Sequence, residues 1–356
     1  MRIFSFYLPQ YHEIPENNEW WGEGFTEWTN VKKAKPLFKG HVQPLHPLNN
    51  NYYNLMEKEI VEWQTRLMKN YGLTGMIYYH YYFCGRKLLE KPAENLLRWK
   101  EIDQPFFFCW ANHSWKKTWN GTSELLVEQT YGNEKDWEEH FQYLLPFFQD
   151  RRYEKINNKP VFMLFNSEFS CKQKMVSYFN RRCKDYGFKG ICIVNTLFDV
   201  KNLKMKDFNI EELWHFREPS ISMSIFYDSL KSIPYSIVNR MMKKISSKHI
   251  FKYNGDKLLK NRTGYQIHFQ YIPGVFFGWD NTSRHGSRGD VVTSPSKETF
   301  MKYMDSIKDS EYVFVNAWNE WCEGMILEPT KENGYRYLEW IKEWIDKNDK
   351  LDYKQG

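Results

Sequence analysis

The segment Val313–Pro329, VFVNAWNEWCEGMILEP, decides how the rest of this chain is read. Its first half is a β-branched and aromatic run with the pattern of a buried strand, and Gly324 then supplies the turn freedom with which a loop leaves a sheet. Between the two stand Glu320 and Glu323, three positions apart, ringed by Trp318, Trp321, Asn316 and Asn319. Making or breaking a sugar acetal needs one carboxyl group to give a proton and another to act as base or nucleophile, beside a ring that covers the apolar sugar face. A bare ExxE is far more often a pair of solvated loop residues. The tryptophan-rich clusters elsewhere in the chain favour the catalytic reading of Glu320 and Glu323.

Working outward, short apolar runs recur at 3–9, 75–82, 105–112, 160–166, 191–196, 212–218 and 271–278, and the run at 312–318 is the eighth. Their continuous apolarity, in place of alternation, is expected of parallel strands covered on both faces. Helical periodicity fills the gaps at 55–70, 134–150, 170–186, 297–309 and 335–346, with Tyr71-Gly72 and Tyr186-Gly187 as C-terminal stops. Eight such units predict a (β/α)8 barrel. The interval 197–211 is short and charged, so the sixth strand is the least marked. Polar and aromatic residues gather at the strand ends: Tyr7/Tyr11, His80/Tyr81, Trp110/Asn112, Asn166/Glu168, Asn195, Glu218, Trp279/Asp280 and Glu320/Glu323. In a barrel these ends converge on the active-site face.

The chain of 356 residues suits one such domain, 1–356, with insertions at about 10–50 and 220–265. The first insertion contains GEGFTEWTNVKKAKP. Its glycines are not spaced as GxGxxG and precede no obvious helix, which argues against a phosphate cradle and leaves a pocket wall or lid. The second carries Arg240, Lys243, Lys244, Lys248, Lys252, Lys257, Lys260 and Arg262, interspersed with Met241, Met242, Ile245, Ile250 and Phe251. A solvated face is the ordinary reading. The sharper one is an amphipathic surface helix making peripheral membrane contact through 240–262, worth about 1 kcal/mol per basic group near an anionic surface.

The net charge of +6, from 50 basic and 44 acidic residues spread along the chain, gives no case for nucleic acid. No secretory signal or spanning segment is apparent, and six cysteines without CxxC spacing fit a reducing compartment, so the expected location is cytoplasmic, including the inner membrane face. There is no HExxH, Asp-x-Asp or EF-hand pattern, and His41 and His46 lack a third ligand nearby. Neither metal nor cofactor is expected. Aromatics make up 18% of the chain and include 15 tryptophans, a surplus that suggests a carbohydrate-facing surface. Besides Asn316, Trp318 and Trp321, the candidate sugar contacts are Tyr7, Tyr11, Trp28, His80, Trp110, Asn112, Asp280 and Arg284. Core packing accounts equally well for Tyr7 and Trp110, a satisfied buried histidine for His80, and loop capping or salt bridging for Asn112, Asp280 and Arg284.

Five separated motifs carry a resemblance that spans nearly the whole chain: FYLPQYHEIPENNEWWGEGFTEWTNV at the start, HYYF at 80–83, CWANHSW at 109–115, GWDNTSR at 278–284 and NAWNEWCEGMILEP near the end. The chain resembles the WbsX-type family, which is similar to glycoside hydrolase family 99 and is commonly assigned to O-antigen or capsule glycosyltransferases. The resemblance implies a (β/α)8 barrel acting with retention on α-mannosidic or related bonds. It implies that Glu320 draws the proton from the sugar 2-hydroxyl, so that O2 attacks C1 to give a 1,2-anhydro sugar. Glu323 would protonate the leaving oxygen and later deprotonate the acceptor, with a covalent glycosyl-enzyme as the rival route. The expectation is a metal-independent hydrolase or transglycosylase acting on a cell-surface oligo- or polysaccharide of mannose- or rhamnose-like sugars, free or lipid-linked. The alternatives are a glycosyltransferase of O-antigen or capsule (lipopolysaccharide) biosynthesis and a non-catalytic glycan-binding protein.

Overall fold

Eight parallel strands form where the sequence places its eight apolar runs: β1 (Arg2–Tyr7), β2 (Gly75–Phe83), β3 (Phe106–Trp110), β4 (Lys159–Leu164), β5 (Cys192–Leu197), β6 (Leu213–Phe216), β7 (Gly274–Phe276) and β8 (Tyr312–Asn316). The computed structural model describes residues 1–117, 124–198, 212–217, 251–263 and 271–355. Each strand pairs with its neighbour in chain order, and β1 pairs with β8 in the register Arg2↔Tyr312 to Ser5↔Val315. Between β6 and β7 the ring closes through Ile272, whose N–H donates to Trp214 O (2.7 Å) and whose carbonyl accepts from Phe216 N (3.1 Å). This is the expected (β/α)8 barrel. Closure leaves no bare edge, so both faces of the strands can be buried.

Parity along each strand decides which side chains enter the barrel. On one parity Phe4, Phe6, Phe107, Phe314 and His215 meet inside, with ring centroids 4.9–6.5 Å apart. These rings plug the interior. On the other parity Tyr7, Tyr78, His80, Tyr82, Phe108 and Trp110 face the helix layer.

Among the described residues the helices are α1 (Pro15–Trp21), α2 (Glu27–Lys33), α3 (Lys58–Asn70), α4 (Lys91–Arg98), α5 (Glu134–Gln149), α6 (Lys172–Asp185), α7 (Gly255–Thr263), α8 (Thr282–His285), α9 (Lys297–Ser306) and α10 (Arg336–Gln355). Asn133 caps α5 by accepting from Lys135 N (3.0 Å), while Asp136 accepts from Asn133 N (2.9 Å). The stops of α3 and α6 are the predicted ones: Gly72 and Gly187 adopt φ of +81° and +85°.

Two expectations about the insertions are corrected. The GEGFTEW stretch does precede a helix: α2 begins at Glu27, and Thr26 N donates to Thr29 Oγ1 (3.2 Å) at its start. In the second insertion Phe251 does not continue an amphipathic helix, because Phe251–Tyr253 is a short strand paired with Asp290–Val292, and α7 follows. Arg240, Lys243, Lys244 and Lys248, together with Glu218, lie outside the described residues.

Candidate active site

After β8 the chain makes a two-residue antiparallel ribbon, Asn319–Glu320 against Met325–Ile326, joined by a single turn at Trp321–Glu323. Gly324 closes the turn at φ +60°, and a Cβ there would stand 3.2 Å from Asp280 N and Cβ. The turn is stitched to the end of β1: Asn319 Oδ1 accepts from Leu8 N (2.7 Å), Asn319 Nδ2 donates to Leu8 O (3.1 Å), and Tyr11 Oη donates to Asn319 O.

Behind the turn lies Glu328, 2% exposed. Its Oε1 accepts from Trp318 Nε1 (2.9 Å) and Gln64 Nε2 (2.7 Å), and its Oε2 accepts from Trp321 Nε1 (2.8 Å) and Tyr53 Oη (2.8 Å). Both indoles that flank the candidate carboxylates are therefore pinned by one buried carboxyl. Burial outweighs these four donors and pushes Glu328 up to about 7.

In front of the turn, Arg284 gathers three carboxylates. Its Nη1 donates to Glu323 Oε1 (2.6 Å), its Nη2 donates to Glu27 Oε1 (2.9 Å), and Glu320 Oε2 lies 3.8 Å from Nη2. Trp279 Nε1 donates to Glu323 Oε2 (3.1 Å). Burial, and next the charge of Glu323, push Glu320 up to about 8. Burial opposes the charge on Arg284, yet Glu27 and then Glu323 outweigh it and hold the guanidinium well above its ordinary value. One carboxyl of the pair thus holds a proton near neutral pH while the other is salt-bridged, as acid/base work on a bond between them needs.

These groups form one side of a cavity of about 430 Å³, a volume usual for small-molecule sites. Residues of the inward parity supply other walls: Tyr79 and Tyr81 within β2, and Leu8, Ala111, Phe165 and Arg217 each one position past the end of a strand. Arg217 Nη2 donates to Tyr79 Oη (3.0 Å). Asn17, Trp21 and Glu27 come from the first insertion, and His113, Trp115 and Leu126 from the segment after β3.

Of the residues singled out from sequence, the structure brings Glu320, Glu323 and Arg284 together in this cavity. The others sit elsewhere. Tyr7 is buried and donates to Gln64 Oε1 (2.7 Å), and Trp28 is buried with its Nε1 donating to Tyr53 O (2.8 Å). His80 faces His140, Nε2 to Nε2 at 2.8 Å, and burial lowers it to about 3. Trp110 Nε1 donates to Tyr82 O (3.0 Å), and Asn112 exchanges hydrogen bonds with the Asn166 backbone (2.6 and 2.8 Å). Asp280 ties the insertion down, accepting from Gln43 Nε2 (2.8 Å) and Thr282 N (3.0 Å) and pairing with His41 Nε2 (2.7 Å). Tyr11, Trp318 and Trp321 are buried by the contacts described above, and Asn316 is buried at the end of β8, where the Asn316–Ala317 peptide bond is cis. The rings that do face the cavity are Trp21, Tyr79, Tyr81, Trp115 and Phe165. Tyr81 stood among the strand-end residues, and Tyr79 could have been found by counting parity from the aromatic plug. Glu27 stood within a quoted motif, but its partner Arg284 lies 257 residues away.

Residues 3–341 match the family described as Glycosyltransferase WbsX. The chain belongs to this family. Among curated proteins it is 28% identical over 351 residues to WxcX of Xanthomonas campestris pv. campestris strain B100, and equally to WxcX of strain ATCC 33913. The match covers 95% of this chain but 48% of theirs, so the chain spans about half the length of these relatives. Among solved structures, the GH99 endo-α-mannosidase from Bacteroides thetaiotaomicron superposes with a TM-score of 0.54 at 14% identity, covering 99% of this chain and 98% of that one. A glycoside hydrolase-like protein superposes with a TM-score of 0.60 at 11% identity, covering 96% and 93%. This member of the family therefore shares its barrel fold with those two solved structures.

Proposed function

We propose that this chain is a metal- and cofactor-independent enzyme that acts on glycosidic bonds of a cell-surface polysaccharide, as a retaining hydrolase or transglycosylase. The observation that carries the reading is the Glu320/Glu323 pair, bridged by Arg284 in an aromatic-walled cavity at the C-terminal end of the barrel. In the forward step Glu320 accepts the proton of the sugar 2-hydroxyl while O2 attacks C1. The bond from C1 to the leaving oxygen breaks, and Glu323 gives that oxygen a proton. In the second step Glu323 takes the proton of water or of an acceptor hydroxyl as its oxygen opens the anhydro ring at C1, and O2 recovers a proton from Glu320. The whole cycle needs one proton shared between the two carboxyls. In the free enzyme burial and Glu323 hold that proton on Glu320, so the forward step begins only after substrate binding has moved it to Glu323, and the second step returns the pair to one shared proton.

The family description, a glycosyltransferase, favours a second reading; we would place such a transferase in O-antigen or capsule assembly, with an activated or lipid-linked sugar donor. In either case the substrate is an oligo- or polysaccharide handled in the cytoplasm or at the inner membrane face. The test is mass spectrometry of surface glycan and its lipid-linked precursor after incubation with the purified protein, with and without nucleotide sugars. Shortened or exchanged chains without a nucleotide sugar, absent with Glu323→Gln, support the first reading. Growth by one sugar only when a nucleotide sugar is supplied supports the second.

A further inference from the structure

The first insertion places two polar side chains in the cavity whose hydrogen-bonding capacity is not fully used among the described residues. Asn17, on α1, is 0% exposed and lines the cavity, and neither its Nδ2 nor its Oδ1 has a partner among the described residues. Glu27, at the start of α2, is 1% exposed and gives Oε1 to Arg284, while its Oε2 has no partner. Two more such atoms, Glu320 Oε2 and Arg284 Nε, belong to residues of the same walls. The contrast with the neighbouring residue is informative. Asn18 spends both ends of its amide on the loop itself, accepting from Phe25 N (3.2 Å) and donating to Glu13 Oε2 (3.2 Å).

A buried polar atom without a partner costs about 1–3 kcal/mol, so native proteins carry few of them. Several on the walls of one cavity are a cost that a polyhydroxylated ligand would recover. An amide offers one donating and one accepting end, and a carboxylate oxygen only accepts. Together they match neighbouring sugar hydroxyls, each of which can give one hydrogen bond and take another. We propose that Asn17 and Glu27 bind adjacent hydroxyl groups of the sugar unit held at Glu320 and Glu323, and so set which sugar the enzyme accepts. The inference rests on the proposed function and narrows it. The substrate unit carries free hydroxyls on the side facing the loop after β1, and a sugar deoxygenated there is rejected. Discrimination of this kind is strong because a missing hydroxyl leaves the protein's own polar atoms unpaired.

The probes are methyl α-glycosides of the gluco, manno, galacto and rhamno series, the corresponding α-linked disaccharides, and the monodeoxy analogue at each position. Binding to Glu323→Gln protein is read by titration calorimetry and saturation-transfer NMR, with thermal melts to establish that each variant is folded. For the best-bound glycoside, removing one particular hydroxyl weakens binding about ten- to a hundred-fold. Adding Asn17→Ala then weakens the parent glycoside by a similar factor but leaves that deoxy analogue unaffected. Glu27→Gln does the same for a neighbouring hydroxyl, and Asn17→Asp, which keeps the shape and loses the donor, falls between. If the glycosides bind but the loop substitutions weaken parent and analogues equally, or not at all, the inference is overturned and the proposed function stands. If no glycoside or disaccharide binds, the cavity is not a sugar site and both fall.

Discussion

Replacing Glu328 with glutamine tests the structural logic of the catalytic turn without requiring a substrate. Glu328 accepts four hydrogen bonds, and an amide in its place turns one oxygen, which can accept even when it carries a proton, into a nitrogen that only donates, setting it against either Trp318 and Gln64 or Trp321 and Tyr53. Leaving two buried donors opposed costs about 2 kcal/mol after the local adjustment that Tyr53 and Gln64 allow. The charge acts in the other direction. Burial raises the native pKa of Glu328 to about 7, above the ordinary 4.5, so between those values the folded state binds more protons than the unfolded. The associated stability is fully present below about pH 4.5 and is lost as pH rises through about 7, an amount on the order of 3 kcal/mol at 1.36 kcal/mol per unit. Glutamine has no such dependence. Glu328→Gln is therefore less stable than wild type by about 2 kcal/mol at pH 5, and the difference vanishes or reverses by pH 8. Guanidinium unfolding of both proteins across pH 5–8 measures it, and taking the difference removes the contributions of Glu320 and the other titrating groups. A difference constant over that range would refute the reasoning, because it would mean that the four donors keep Glu328 ionised throughout.

Glu323→Gln should abolish most turnover, by at least about a hundred-fold, while ligand affinity measured calorimetrically stays within a few-fold; unchanged turnover defeats the site assignment. Turnover of the wild-type protein should fall as pH rises through about 8, where the pair loses its shared proton from Glu320; a rate still climbing at pH 9 contradicts one-proton catalysis. Arg284→Met removes the guanidinium that lies against all three of Glu27, Glu320 and Glu323, and should cost about 3–5 kcal/mol in denaturant unfolding at pH 8. The loss should shrink at pH 5, where Glu320, pushed up to about 8, carries a proton and adds no charge to the cluster; an equal loss at both pH values would show that the contribution is packing. Gly324→Ala, at φ +60° and 3.2 Å from Asp280, should cost about 1–2 kcal/mol and lower turnover more than affinity, so a variant with wild-type stability and kinetics would show that the turn is loosely held.

The barrel was legible because its strands are buried on both faces, which makes each a continuous apolar run of the right length. That same continuity concealed the faces. In HYYF nothing in the residue types says that Tyr81 points inward and His80 to the helices, since both sides are equally apolar. For this reason Tyr7, His80 and Trp110 stood out by their chemistry yet lie on the helix-facing parity, where rings from α5 and the neighbouring strands cover them. Trp318 and Trp321 were misplaced for a different reason. Their proximity in sequence to Glu320 and Glu323 suggested a sugar-stacking wall, but an indole N–H can be claimed by a carboxylate a few residues further on, and Glu328 claims both. The carboxylate pair was readable because its partners are local. The Arg284 bridge to Glu27 was not, because it depends on the spatial meeting of α8 with the first insertion.

That meeting follows from the seam where β1 pairs with β8. Leu8 and Glu27, which the first thirty residues bring to the candidate site, are held there by Asn319 and Arg284 across this one strand boundary. While a ribosome is still making the middle of the barrel, the early half of the site has no carboxylate pair to work with, so activity waits for the last strand to dock. The same arrangement makes catalysis a reporter of one local event. Opening the seam by a few residues would separate the Asn319–Leu8 hydrogen bonds and silence the site with the other strand pairs intact. In a denaturation series, loss of activity should therefore precede loss of far-ultraviolet ellipticity. Restoring the strand boundary, by a cross-link between β1 and β8, should bring the two curves together.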